Sequence, residues 1–105
     1  MSDKSLRDLA DVDRLIHEPA RLVICTILYT VKEADFIFLL HESGLTKGNL
    51  SSHLSKLEEA GYIAIRKIFK QKKPQTLCSM TEQGRKAFEA YRMQFNKIMQ
   101  RMNGD

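Results

Sequence analysis

The stretch TKGNLSSHLSKLEEA, residues 46–60, restricts what this chain can become more than any other. Leu50, Leu54 and Leu57 recur at spacings of four and three, the rhythm of one helix face. At 100° per residue the three lie within about 60° of arc, a narrow buried stripe. Thr46 in front of them is a good N-cap, because its hydroxyl can accept from an orphan backbone N–H of the first turn. Gly61 behind them ends the helix. Gly48, Ser52, Ser55 and Glu59 face away from the stripe, with Asn49, Ser51 and Lys56 on its flanks. A helix buried so narrowly presents most of its polar surface to something outside its own core.

The surrounding segments frame that helix. Upstream, Leu6, Leu9, Val12, Leu15 and Ile16 give residues 4–16 the spacing of a short amphipathic helix. His17-Glu18-Pro19 reads as a break and a new start, since Pro is tolerated at the first helical position. Residues 19–30 are apolar on most sides and predict a core helix. Lys32-Glu33-Ala34-Asp35 is expected to open a further helix through Phe36, Leu39 and Leu40, ending at Ser43-Gly44. Downstream, residues 62–69 are β-branched and aromatic and predict a strand. Residues 70–74 predict a polar turn, and residues 75–80 a returning strand. Thr81 caps a last helix with Glu82 in its first turn, where negative charge suits the macrodipole. Along it, Phe88, Tyr91, Phe95, Ile98 and Met102 recur at +3, +4, +3, +4. The expected class is mainly α with a small β-hairpin, in one domain without repeats or linkers.

Charge gathers on the same central segment. Residues 47–75 carry seven bases against two acids, a net of +5, whereas the other residues carry ten against eleven, a net of −1. Localised positive charge is the electrostatic footprint of a polyanion site. No apolar run approaches the ~20 residues that span a bilayer. The first residues hold acids and no continuous apolar segment, unlike a signal peptide. Cys25 and Cys78 form no CxxC pair, which points to a reducing, cytoplasmic setting. Cys25 reads as core, and Cys78, in a strand, is the better candidate for redox chemistry, though no activating partner is evident. No nucleophile elbow, HExxH or phosphate-cradling glycine loop appears, so no catalytic residues and no cofactor are assigned. His17 and His41 are isolated and read as structural.

Two helices joined by Ser43-Gly44-Leu45 make a helix-turn-helix, and a basic hairpin directly after it makes a wing. "GLTKGNLSSHLSKLEEAGYI" followed by "MTEQGRKAF" resembles the winged-helix transcriptional regulators of the MarR and ArsR groups, above all short, single-domain MarR-like members. The likeness covers residues 17–92, and its specific parts are the capped helix, E-x-A-G-Y and T-x-x-G-R in that order. It implies one winged-helix domain over 1–105: an N-terminal helix at 4–16, the helix-turn-helix at 34–60, the wing at 62–80 and a C-terminal dimerisation helix at 82–102. It also implies double-stranded DNA as partner. Lys47, Asn49, Ser51, Ser52 and His53 then fall on the part of the recognition helix that enters the major groove, with Ser55 and Lys56 beyond them. Asn can bond adenine in a bidentate way and Ser can serve bases or phosphates, while Lys47 and Lys56 suit phosphates. His53, at the edge of the leucine stripe, fits either a DNA contact or a partly buried structural place. Lys70, Gln71, Lys72 and Lys73 would form the wing tip, supported by Arg66 and Lys67. A metal sensor of the ArsR type would need a cysteine pair or clustered His and Asp on the last helix; neither is present, so no metal is expected.

The stripe on the last helix outlasts what one protomer needs. Phe95, Ile98, Met99 and Met102, helped by Leu6 and Leu9, are expected to pack against a second copy, since an isolated helix exposing them is a liability. The expectation is a homodimeric DNA-binding regulator, more often a repressor in such families, with recognition helices about 34 Å apart on a near-palindromic site. The competing readings are a winged helix used as a protein-interaction module, or a non-specific nucleic-acid binder. A small-molecule effector is not legible in the sequence.

Overall fold

The computed structural model describes residues 12–104. Its elements run α1 (Pro19–Thr30), β1 (Ala34–Asp35), α2 (Phe36–Ser43), α3 (Lys47–Glu59), β2 (Ile63–Lys70), β3 (Lys73–Met80) and α4 (Glu82–Met102). The three strands form one antiparallel sheet in the order β1-β3-β2. This is a winged helix.

Each helix starts where a side chain can accept from the free N–H groups of a first turn. Glu18 accepts from the Arg21 N–H at 2.9 Å ahead of Pro19. Asp35 accepts from Phe38 at 2.8 Å, Thr46 from Asn49 at 3.1 Å and Thr81 from Gly84 at 3.0 Å. Gly44 closes α2 in the left-handed conformation, with φ 71°.

α1 is the centre of the core, with Ile24, Cys25 and Leu28 buried. Around it pack Leu39 of α2, the Leu50–Leu54–Leu57 stripe of α3, Ile63 and Cys78 of the sheet, and Phe88 and Tyr91 of α4. Each buried leucine, isoleucine or phenylalanine among them stabilises the fold by about 1.5–3 kcal/mol relative to exposure.

Three expectations need correction. Of the helix expected at 4–16, residues 12–16 form bends and turns, held by the Asp13 carboxylate accepting from Leu15 (2.9 Å) and Ile16 (3.3 Å). The remainder of that segment lies outside the described residues. The second helix does not begin at 32–35: Ala34 pairs with Cys78 and Asp35 with Leu77 as a short strand, and Asp35 caps α2 from outside it, the helix starting at Phe36. The wing turn is not five residues but Gln71-Lys72 alone, with Lys70 paired to Lys73 and Phe69 to Pro74.

Candidate nucleic-acid interface

The two motifs that bracket the hairpin fold onto one another, and that contact fixes α3. Tyr62 N–H reaches back to Leu57 O at 3.0 Å and Gly61 N–H to Glu58 O at 2.9 Å, a Schellman end that requires the left-handed Gly61, φ 81°. Thr81 then joins both sides. Its N–H donates to Tyr62 O at 3.0 Å, and its hydroxyl donates to Gly61 O at 2.6 Å while accepting from Gly84. Gln83 Nε2 adds a bond to Ala60 O at 3.3 Å. The end of α3 is thus clamped to the start of α4, and β2 leaves directly from the clamp. Tyr62 is anchored on its other side by a hydrogen bond from its hydroxyl to the Asp13 carboxylate; burial and that bond push its pKa up to about 12.

So held, α3 shows solvent the face that its narrow stripe leaves free. Lys47, Gly48, Asn49, Ser51, Ser52, Ser55 and Lys56 are all exposed, whereas Leu50, Leu54 and Leu57 are buried. His53 differs. Its ring is turned toward α1, where Nδ1 accepts from Arg21 Nη1 at 3.0 Å and lies 3.9 Å from Glu18 Oε1. Its side chain keeps only 19% of its exposure. The capping bond from the Arg21 N–H, aided by the nearby His53 and Arg21, holds the Glu18 carboxyl below the usual glutamate range.

On the wing, Lys67, Lys70, Gln71, Lys72 and Lys73 are exposed. Arg66 is exposed too but bound to Glu33 at 2.9 Å, which ties the base of the wing to the segment before β1. At a solvent-exposed site such a pair contributes at most about 1 kcal/mol. Lys47, Lys56, Lys67, Lys70, Lys72 and Lys73 make no ion pair with another described residue. β2 and β3, residues 63–80, contain five bases and no acid. The surface formed by α3 and the hairpin therefore combines uncompensated cations with amide and hydroxyl groups, the chemistry that phosphates and base edges accept.

Both thiols are fully buried. Burial, with smaller effects from nearby charges, pushes Cys25 up to about 12 and Cys78 up to about 11, so both remain protonated at neutral pH. Cys78 lacks both the access and the thiolate that redox sensing needs.

A second surface lies between α1 and α4. Leu22, Tyr29, Phe88, Met93, Phe95 and Met99 line an open, mostly apolar groove of about 1080 Å³. Tyr29 donates to Glu89 at 2.7 Å, and the guanidinium groups of Arg85 and Arg92 lie 4.6 and 5.3 Å from its ring centroid. Of the residues assigned to dimerisation, Met99 and Met102 are exposed, but Phe95 packs on the core and Ile98 is already 8% exposed within the chain. Leu6 and Leu9 lie outside the described residues. Two exposed residues were missed in the sequence. Met93 falls off the regular stripe, and Phe69 reads there as an ordinary strand residue.

A helix-turn-helix whose second helix exposes a polar face, followed by a basic antiparallel hairpin, defines a DNA-binding winged helix. The winged helix DNA-binding domain family matches residues 20–99, and this chain belongs to it. An uncharacterized protein of Methanocaldococcus jannaschii is 33% identical over 78 residues, covering 74% of this chain and 85% of that one. A transcriptional regulator homologue from Pyrococcus horikoshii has the same fold, with a TM-score of 0.78 at 25% identity and 96% of each chain covered. AbfR, solved in its overoxidized form bound to DNA, shares the fold at 16% identity, with a TM-score of 0.57 over 98% of this chain and 79% of that one. The likeness to MarR/ArsR-type regulators carried by the sequence motifs thus holds at the level of the winged-helix fold, and the family shown is that of the winged helix DNA-binding domain.

Proposed function

We propose that this protein is a sequence-specific, double-stranded DNA-binding transcriptional regulator of the cytoplasm, acting as a homodimeric repressor on a near-palindromic operator. The observation that carries this is the pairing of a clamped α3, polar over most of its surface, with six lysines that have no ion-pair partner among the described residues. In this reading Asn49, Ser51, Ser52 and Ser55 meet base edges, and Lys47 and Lys56 take flanking phosphates. Lys70, Gln71, Lys72 and Lys73 reach the backbone or minor groove, with Arg66 and Lys67 supporting them. His53 contributes by holding α3 to α1 through Arg21, rather than by touching bases. A second copy covers the α1–α4 groove.

The test is a fluorescence-anisotropy titration against the duplex upstream of the protein's own gene and a scrambled control, over a range of salt. The upstream duplex should be preferred, with affinity falling steeply as salt rises because bound counterions are released. Lys72→Glu with Lys73→Glu should abolish binding to both duplexes. Asn49→Ala should relax selectivity at one base pair, at a cost on the order of 1–3 kcal/mol. Absence of binding to either duplex at low salt would overturn the regulator reading, and equal weakening of all duplexes by Asn49→Ala would remove its base-reading role.

A further inference from the structure

Phe69 is the most exposed large apolar side chain among the described residues, at 77%. Burying a phenylalanine is favourable, and that gain is left unrealised here. Its position is specific. It stands one pair from the wing tip, opposite Pro74, which is also exposed. β1 reaches β3 only at Leu77 and Cys78, so at Phe69 the sheet has narrowed to a two-stranded arm. By strand alternation Phe69 shares a face with Lys67 and Thr76, while Lys70, Lys72 and Lys73 surround the tip beyond it.

We propose that Phe69 is an apolar wedge that enters the minor groove of duplex DNA and partly unstacks a base step there. The inference rests on the DNA-binding reading above and assigns the wing a second task besides phosphate contact. Duplex DNA is the occupant because the hairpin carries five bases and no acid. A protein surface would have to be strongly acidic to tolerate that charge, whereas phosphates flank the minor groove on both sides. The groove is about 6 Å wide and admits a hairpin tip but not a helix. An apolar side chain placed there by cationic neighbours trades unstacking for a kink and a closer wrap of the duplex. The lysines supply the salt-dependent attraction, and Phe69 supplies a contact that salt does not weaken.

The experiment uses the full chain and the same upstream duplex, labelled at both ends to report bending by energy transfer. Phe69→Ala removes no internal contact of consequence, and an unchanged circular-dichroism melt should confirm its fold. It should lose most of the bend and about tenfold or more in affinity, with the salt slope unchanged because no charge is altered. Phe69→Leu should keep part of both. The chain contains no tryptophan, so Phe69→Trp gives a single indole, which should be open to acrylamide quenching in the free protein and shielded in the complex. If Phe69→Ala binds and bends as the parent does, or if that indole stays equally open in the complex, the wedge is refuted while the lysine-dependent binding stands. If the parent protein binds no duplex, the regulator reading and the wedge fall together.

Discussion

Gly84 stands where the packing tolerates no side chain. A Cβ added there would lie 2.0 Å from the backbone carbonyl oxygen of Tyr62, and neither a rotamer change nor a flexible neighbour can relieve that contact. The same carbonyl accepts from Thr81, so moving it breaks the clamp that ends α3. Gly84→Ala should therefore cost about 3 kcal/mol or more. At the ~4–8 °C per kcal/mol usual for a domain of this size, that lowers the melting temperature by at least about 12 °C. Gly48 gives the internal control. It is also helical, but a Cβ there meets nothing within 4 Å. Gly48→Ala should stabilise by about 0.5 kcal/mol through helix propensity. Thermal melts of the two variants should thus move in opposite directions. A Gly84→Ala melt within about 2 °C of the parent would mean the α3–α4 junction is looser than its hydrogen bonds imply.

The hairpin shows the same logic at the level of an element. Gln71 and Lys72 both adopt positive φ, 53° and 64°, in a two-residue turn that favours Asn-Gly. Each non-glycine residue there costs about 1–2 kcal/mol. Such strain is tolerated where function wants the side chain, and Lys72 at the tip is a reason to keep it. Gln71→Asn with Lys72→Gly should raise stability by about 1–2 kcal/mol in a denaturant titration. It should also reduce the slope of log affinity against log salt by about 0.9 for the lost phosphate contact. A more stable hairpin with an unchanged slope would place Lys72 away from the backbone. This turn was also where the sequence misled. Residues 70–74 form a polar run, which predicts a five-residue turn. In the actual register Lys70 and Lys73 form the closing pair, the following Phe69–Pro74 pair exchanges no hydrogen bonds, and the proline nitrogen faces an edge that β1 does not reach. The strand at Ala34-Asp35 was hidden for a related reason, since its partners Leu77 and Cys78 lie more than forty positions away, whereas the cap that Asp35 gives to α2 is local. What the sequence made legible was local: the Thr46 and Thr81 caps, the left-handed Gly44 and Gly61, and the buried leucines of α3. The polar face of α3 and the lysines of the wing followed from these. The turn of His53 toward Arg21 depends on how α1 and α3 pack, which no local pattern encodes.

For the whole molecule, α4 poses the remaining question. At 1.5 Å per residue its 21 residues span about 31 Å, and the core cluster reaches along it only through Phe95. Beyond that lie Met99, 43% exposed, and Met102, 73% exposed, while Met93, 64% exposed, sits at the open groove against α1. Methionine suits such a surface, being flexible enough to fill an irregular partner. In the proposed dimer these side chains are covered by a second copy, and the two α3 helices then meet successive turns of one DNA face. Met99→Glu with Met102→Glu should leave the fold of each chain intact, because both side chains are exposed, yet place like charges across the interface. Sedimentation equilibrium should find the parent as a dimer and the variant as a monomer at the same concentration. Affinity for a palindromic duplex should fall by about 10²-fold or more, since linked sites gain that much from a second binding event. Affinity for a single half-site should hardly change, because α3 and the wing are untouched. Should the variant remain dimeric, the interface lies elsewhere than the end of α4. Should it become monomeric yet bind the palindrome as the parent does, the two recognition helices are not read together and the near-palindromic operator is not required.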